Sequence, residues 1–315
     1  IRGNWSSHFA AESYTITNHL AESRKDGAAK VHQHFSNYDS NNSKFNDLNN
    51  FNNSGIDYAV MKDYFIFGAN PNEVNERALY DSVMDYLEAP AMVFGGWHNE
   101  LEDVMAATQK GNFALLSTSN LSFWSHVEAN SANLNMRKNT SGTILDENKY
   151  YVMFQASDGD AMNHCIGLKP SGWYGHSVWL DARRGNMPIV WTCQPLAAEL
   201  FPALIEYYVT TSSDNDSFCT GPSGAGYCYP SELPNLADFA SHTEYYLQLT
   251  GLEWVENWWG KSENMWETYK ANAPSVKCFG HQGTEGGLNF WLKDGTRVAI
   301  SDSSLCHAGL EDAND

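Results

Sequence analysis

The feature that most limits what this chain can fold into is a change of pattern at Tyr58. From there on, short apolar runs alternate with stretches of helical periodicity. YAVMKDYFIF reads as a strand, and Asn70-Pro71 then opens a helix with an N-cap residue followed by proline. AMVFGG, NFALLST, YYVMFQAS, IVWTC, LEWVENWW and SVKCFG read as further strands. NELEDVMAATQ, LAAELFPALIEYYV, LADFASHTEYYLQLTG and SENMWETYKANA read as helices, and GTRVAISDSS closes the chain. Strands that alternate with long helices form parallel βαβ units, and roughly six to eight of them suit a barrel. The expected fold class is therefore α/β, a (β/α) barrel-like array, with incomplete and seven-stranded forms included. An open doubly wound sheet is the runner-up.

Before Tyr58 the chain is polar and rich in Asn and Ser, as in NYDSNNSKFNDLNNFNNSG. Residues 1–57 read as an N-terminal arm, and residues 58–315 as a single domain. His32 and His34 in VHQHF have no carboxylate at a metal-binding spacing and read as surface loop. The net charge of −19 disfavours nucleic acid, anionic membranes and strongly anionic substrates as partners. No run approaches the ~18 apolar residues of a membrane span. No signal peptide is visible, and Ile1 in place of an initiator methionine fits a processed form.

The 6 cysteines are Cys165, Cys193, Cys219, Cys228, Cys278 and Cys306. They contain no CxxC, so a zinc ribbon or thioredoxin-type site is disfavoured, and an even count at wide spacing fits disulfides. Cys219–Cys228 is the local pairing. N-x-S/T sequons fall at Asn4, Asn41, Asn52, Asn120, Asn139 and Asn215. Together these features point to a secreted, disulfide-bonded glycoprotein.

In either α/β architecture the active site lies at the carboxyl ends of the strands. The polar residues there include Trp97, His98 and Glu100 after AMVFGG, and Asn120 after NFALLST. The turn Ser157-Asp158-Gly159-Asp160 follows YYVMFQA, and His281 follows SVKCFG. Two carboxylates one residue apart repel, which raises one pKa and leaves the other group ionised, as acid/base chemistry requires. Asp160 also fits a helix N-cap, and Asp158, Asp160 and Asn163 could hold calcium or magnesium through oxygen ligands. Glu100 is the other rim carboxylate; it also fits a first-turn glutamate stabilised by the helix dipole. Trp97 and Trp258 are candidates to line a cleft, whereas Trp191 and Trp254 read as core. No GxSxG, HExxH or GxxxxGK[ST] occurs, and no GxGxxG follows the first strand.

The loop from Ser212 to Pro230 concentrates carboxylates, glycines and aromatics: Asp214 and Asp216, then Gly221, Gly224 and Gly226, then Tyr227 and Tyr229. It reads as a turn pinned by cysteines that presents the two tyrosines from a fixed backbone. Here the sequence resembles a known family. Gly224, Gly226, Tyr227, Tyr229 and Pro230 meet in full the name-giving motif of the GxGYxYP putative glycoside hydrolase family, in its C-terminal domain. MPIVWTCQPLAAELFPALIEYY resembles the segment before the motif. FQASDGDAMN resembles a strand ending in an Asp-Gly-Asp-Asn-like turn, with Ala161 and Met162 displacing the asparagine. VFGGWHNELEDV and STSNLSFWS resemble earlier segments. The likeness runs from about Tyr58 to Leu305. It implies a (β/α)-barrel-like domain associated with polysaccharide processing.

The function expected is thus a secreted glycoside hydrolase that needs no cofactor. Asp158 or Asp160 would fill one catalytic role and Glu100 the other. Trp97, His98, Asn120, Asp216, Tyr227, Tyr229, Trp258 and His281 would bind an oligosaccharide or small-molecule substrate. One alternative keeps the scaffold for a cofactor-independent oxygenase acting on an aromatic small molecule, such as a marine luciferase. Another is a glycan-binding protein without catalysis.

Overall fold

The computed structural model describes residues 31–33, 56–62, 64–67, 69–95, 100–116, 120–136, 148, 154–156, 159, 165, 179–258, 263–282, 291–294 and 297–300. Its strands form three sheets. The first takes β1 (Val31–Gln33), β2 (Phe65–Phe67), β3 (Met92–Gly95) and β4 (Phe113–Leu116) in the order β2-β1-β3-β4, all parallel. The second is β5 (Gln155–Ala156), β6 (Ile189–Cys193) and β7 (Asp216–Thr220), again parallel. The third runs β10-β11-β9-β8, from β8 (Trp254–Trp258), β9 (Cys278–Gln282), β10 (Trp291–Asp294) and β11 (Arg297–Ile300). Only the β10–β11 pair is antiparallel within these ladders. Among the described residues no sheet closes into a barrel.

The helices are α1 (Ile56–Met61), α2 (Val74–Tyr86), α3 (Glu100–Gln109), α4 (Leu121–Trp124), α5 (Ala197–Leu200), α6 (Pro202–Thr211), α7 (Leu236–Thr250) and α8 (Glu263–Asn272). The expected alternation holds, with local corrections. YAVMKDYFIF is not one strand. Its first residues belong to α1, where Lys62 N–H donates to the Tyr58 carbonyl, and only Phe65–Phe67 is extended. Aromatic packing explains the break: Tyr58 and Tyr64 both contact Phe94 on β3, whereas six residues of straight strand would hold them about 20 Å apart. Asn70-Pro71 forms a turn three residues ahead of α2 rather than its cap. LAAELFPALIEYYV is two helices, because Pro202 lacks the N–H that would continue α5 and instead starts α6. Val31–Gln33 is the strand between β2 and β3, inside the stretch whose composition suggests an arm.

The core lies between sheet and helices. Trp191 on β6 and Phe218 on β7 are register partners and so face the same way. Trp179 covers both, with ring centroids 5.2 Å and 6.1 Å away, and meets Tyr208 of α6 at 4.6 Å. On β9, Phe279 meets Trp266 and Tyr269 of α8. This face of the strands belongs to the helix layer. At about 25 cal/mol per Å² of apolar surface, burying such aromatic side chains drives the docking of helices onto sheet.

Candidate functional site

The other face of the same strands carries polar groups. Gln155 pairs with Val190, and Thr192 with Cys219, so Gln155, Thr192 and Cys219 share a face opposite to Trp191 and Phe218. Gln155 Nε2 lies 3.7 Å from Cys219 Sγ and donates to Glu256 Oε2 on β8 at 3.0 Å. Strand β8 belongs to the third sheet but lies beside β7, so β6 and β7 separate it from β5, and Glu256 N–H donates to Thr220 Oγ1 at the end of β7. Three strand spacings in a flat sheet amount to about 14 Å, too far for these side chains to meet while standing upright. The strands therefore curl, and Gln155 and Glu256 converge on the hollow side.

Glu256 is only 2% exposed. Gly280, its register partner on β9, leaves room for it: a Cβ there would come within 2.7 Å of Glu256 Oε2 and 2.7 Å of Trp254 Nε1. The Trp254 indole N–H is buried without a hydrogen-bond partner. Burial pushes the Glu256 carboxyl up to about 8, against a smaller lowering by the Gln155 amide. No described cation accompanies it. The neighbouring titratable groups are the thiols of Cys219 and Cys278, both raised chiefly by burial. The hollow thus holds a neutral carboxylic acid at neutral pH.

Above it, Gly159 is fastened to the carboxyl end of β6. Its N–H donates to Thr192 Oγ1 at 2.9 Å, and its carbonyl accepts from Gln194 N–H at 3.1 Å. A Cβ at this position would lie 1.6 Å from the Thr192 carbonyl oxygen, so only glycine fits. Gly159, which lies between Asp158 and Asp160 in the sequence, is therefore anchored at the level where β6 ends. Asp158, Asp160 and Asn163 themselves lie outside the described residues, as do Trp97 and His98. Among the described residues no cluster of His, Cys, Asp and Glu could hold a metal ion.

The remaining candidates scatter. Glu100 is exposed at the start of α3. Asn120 is exposed, with φ 56°, just ahead of α4. Trp258 and His281 occupy the ends of β8 and β9, where the backbone alone is described. Asp216 begins β7, at the opposite end from the strand termini. It pairs with Arg184 and accepts from Trp191 Nε1 at 2.8 Å and Ser213 N–H at 2.7 Å. Burial would raise its pKa, but these hydrogen bonds and Arg184 together hold it below the ordinary carboxylate value. It is a buried, ion-paired carboxylate at the amino end of β7.

The motif loop is also interior. Residues 221–230 are all buried. Tyr227 exchanges two backbone hydrogen bonds with Ala114 on β4, and Tyr229 N–H donates to Thr108 Oγ1 on α3. Ala225 N–H donates to Thr243 Oγ1 on α7, and Tyr269 of α8 donates to the Ser223 carbonyl. A Cβ on Gly226 would come within 2.3 Å of the Phe113 ring. Tyr227 and Tyr229, at 1% and 2% exposure, pack with Val104 and Ala114 rather than walling an open cleft. The loop is a clasp that fastens β7 to β4, α3, α7 and α8.

The expected Cys219–Cys228 disulfide is not formed: both are separate buried thiols, as are Cys165 and Cys193, and Cys278 is unpaired too. The reason is placement. Cys219 faces Gln155 and Glu256 in the hollow, while Cys228 sits in the clasp beside Tyr269.

Sequence reasoning placed its candidates on loops and did not single out Glu256, Gln155 and Gly280, which the structure brings together. The available signal was the strand period in LEWVENWW. It puts Trp254, Glu256 and Trp258 on one face, with a charged residue between two tryptophans.

Comparison with known proteins agrees with the motif. Residues 148–290 match the family model described as the GxGYxYP putative glycoside hydrolase C-terminal domain. That span contains β5 to β9, Glu256 and the clasp. The crystal structure of a putative hydrolase from Bacteroides thetaiotaomicron superposes with a TM-score of 0.70 at 23% identity. The match covers 90% of this chain and 54% of that one, so the two share a fold and the chain spans about half the length of its neighbour. No curated protein matches.

Proposed function

We propose that this chain is a glycoside hydrolase-like enzyme whose site is the hollow at the carboxyl ends of β5 to β9, in an arc of a (β/α) barrel. The observation that carries the reading is the anchoring of Gly159 on Thr192 and Gln194, inside the segment that matches the glycoside hydrolase family model. Gly159 lies between Asp158 and Asp160 in the sequence, and its anchoring at the end of β6 supports a role for its neighbours at the strand ends, where catalytic groups of such folds lie. Those two aspartates are the base or nucleophile candidates, with Glu100 at the rim. The net charge of −19 favours a neutral carbohydrate over an anionic one.

An extracellular location belongs to the same proposal. It rests on the sequons, since the described cysteines are thiols. Of the two described sequon asparagines, Asn120 is exposed, whereas Asn215 donates its side-chain amide to the Gly185 carbonyl at 2.6 Å. Asn120 is the better acceptor for a glycan.

The test is turnover on a panel of neutral glycans by the wild type, Asp158→Asn and Asp160→Asn. Loss of cleavage in either variant supports the reading. Cleavage unchanged in both contradicts the aspartate assignment. Glycan binding without cleavage, unaltered in both variants, makes the protein a binder instead.

A further inference from the structure

We propose that Glu256 is the proton donor of this site, held by Gln155 and packed against Gly280, where no larger residue would leave it room. The inference rests on the hydrolase reading above and deepens it by naming the acid.

Four observations converge on that carboxyl. It lies on the hollow face, at the level where β7 ends, as its N–H bond to Thr220 shows. A side chain from β5, across two intervening strands, reaches in to meet it. Its register partner is a glycine whose Cβ would collide with it. The donor to it is a neutral amide, and the titratable groups facing it are the Cys219 and Cys278 thiols. A carboxylate buried without a counter-ion costs several kcal/mol, so the group there keeps its proton. The unpartnered Trp254 N–H is buried beside the same glycine, where a Cβ on Gly280 would come within 2.7 Å of it as well as of the carboxyl.

The step balances simply. The Glu256 proton moves to the glycosidic oxygen as the C–O bond to the anomeric carbon breaks, releasing an alcohol. Water adds its oxygen to that carbon and yields its proton to the aspartate base, from which solvent returns one to Glu256. The net reaction consumes one water and gives two hydroxyl compounds.

The experiment compares two leaving groups on each glycoside that the wild type cleaves. Dinitrophenyl glycosides depart without protonation, whereas the matching disaccharides need an acid. Glu256→Gln is expected to lose about a hundredfold or more in kcat/KM on the disaccharide and less than about tenfold on the dinitrophenyl glycoside. Gln155→Ala removes the one described bond to the acid. Whatever activity it keeps is expected to show the alkaline limb of the pH profile moved upward. That limb serves as the check if the Glu256 variant does not fold. Equal losses on both leaving groups, or an unmoved limb in a folded Gln155→Ala, overturn the donor role while leaving a hydrolase. Absence of all glycoside cleavage by the wild type overturns the hydrolase reading and the donor with it.

Discussion

Two buried carboxyls in this molecule reach opposite charge states for a simple reason. Asp216 gathers a guanidinium, an indole N–H and a backbone N–H, and stays ionised below the ordinary range. Glu256 meets one neutral amide and two thiols, and stays protonated up to about 8. Their removal should therefore differ. Asp216→Ala leaves Arg184 facing a buried gap and should cost about 3–5 kcal/mol, read as a fall in the urea midpoint. Glu256 acts on stability through pH. The unfolded chain gives up this proton near the ordinary carboxyl value, while the folded chain keeps it to about 8. Between those values the folded state binds more protons, so stability falls as pH rises, by up to about 1.4 kcal/mol per unit. Glu256→Gln should remove that component of the slope, measured by urea unfolding between pH 5 and pH 8 on the order of unit steps.

At the scale of elements, the clasp decides how the two halves of the described structure meet. Gly224 has φ 112° and lies against Thr243, and Gly226 lies against Phe113. Gly226→Ala should therefore destabilise by about 1–3 kcal/mol through overpacking. Because Ala114 pairs with Tyr227, the loss should show as faster amide exchange on β4 as well as in the loop. The clasp also explains what was legible in the sequence. GAGYCYP identified a family because backbone geometry and close packing restrict those positions narrowly. The same restriction holds Tyr227 and Tyr229 in the interior, where the sequence led us to expect them beside a substrate. IVWTC and the helix over Leu236–Thr250 were readable because their periods are undisturbed. The run from Tyr58 was not, because aromatic side chains suit a helix and a strand alike once they have a core to enter.

For the molecule as a whole, the even cysteine count suggested covalent staples, yet the described fold is held by its core. Cys165, Cys193, Cys219 and Cys228 are buried, and burial raises the last three thiols well out of the reactive range. A thiol reagent should leave these four unmodified in the native protein and label them once it is denatured. A Cys219–Cys228 cross-linked peptide in a non-reduced digest would contradict this. The curl of the β5 to β9 strands was equally hidden from sequence, because it is declared by one contact between Gln155 and Glu256, 101 residues apart. That contact defines the hollow in which the active site is proposed. The most direct measurement is carbon-13 NMR of the side-chain carboxyls in glutamate-labelled protein across a pH titration. The structure predicts one resonance that titrates near pH 8 and is missing from Glu256→Gln. A spectrum in which every glutamate titrates in the ordinary carboxyl range would contradict it.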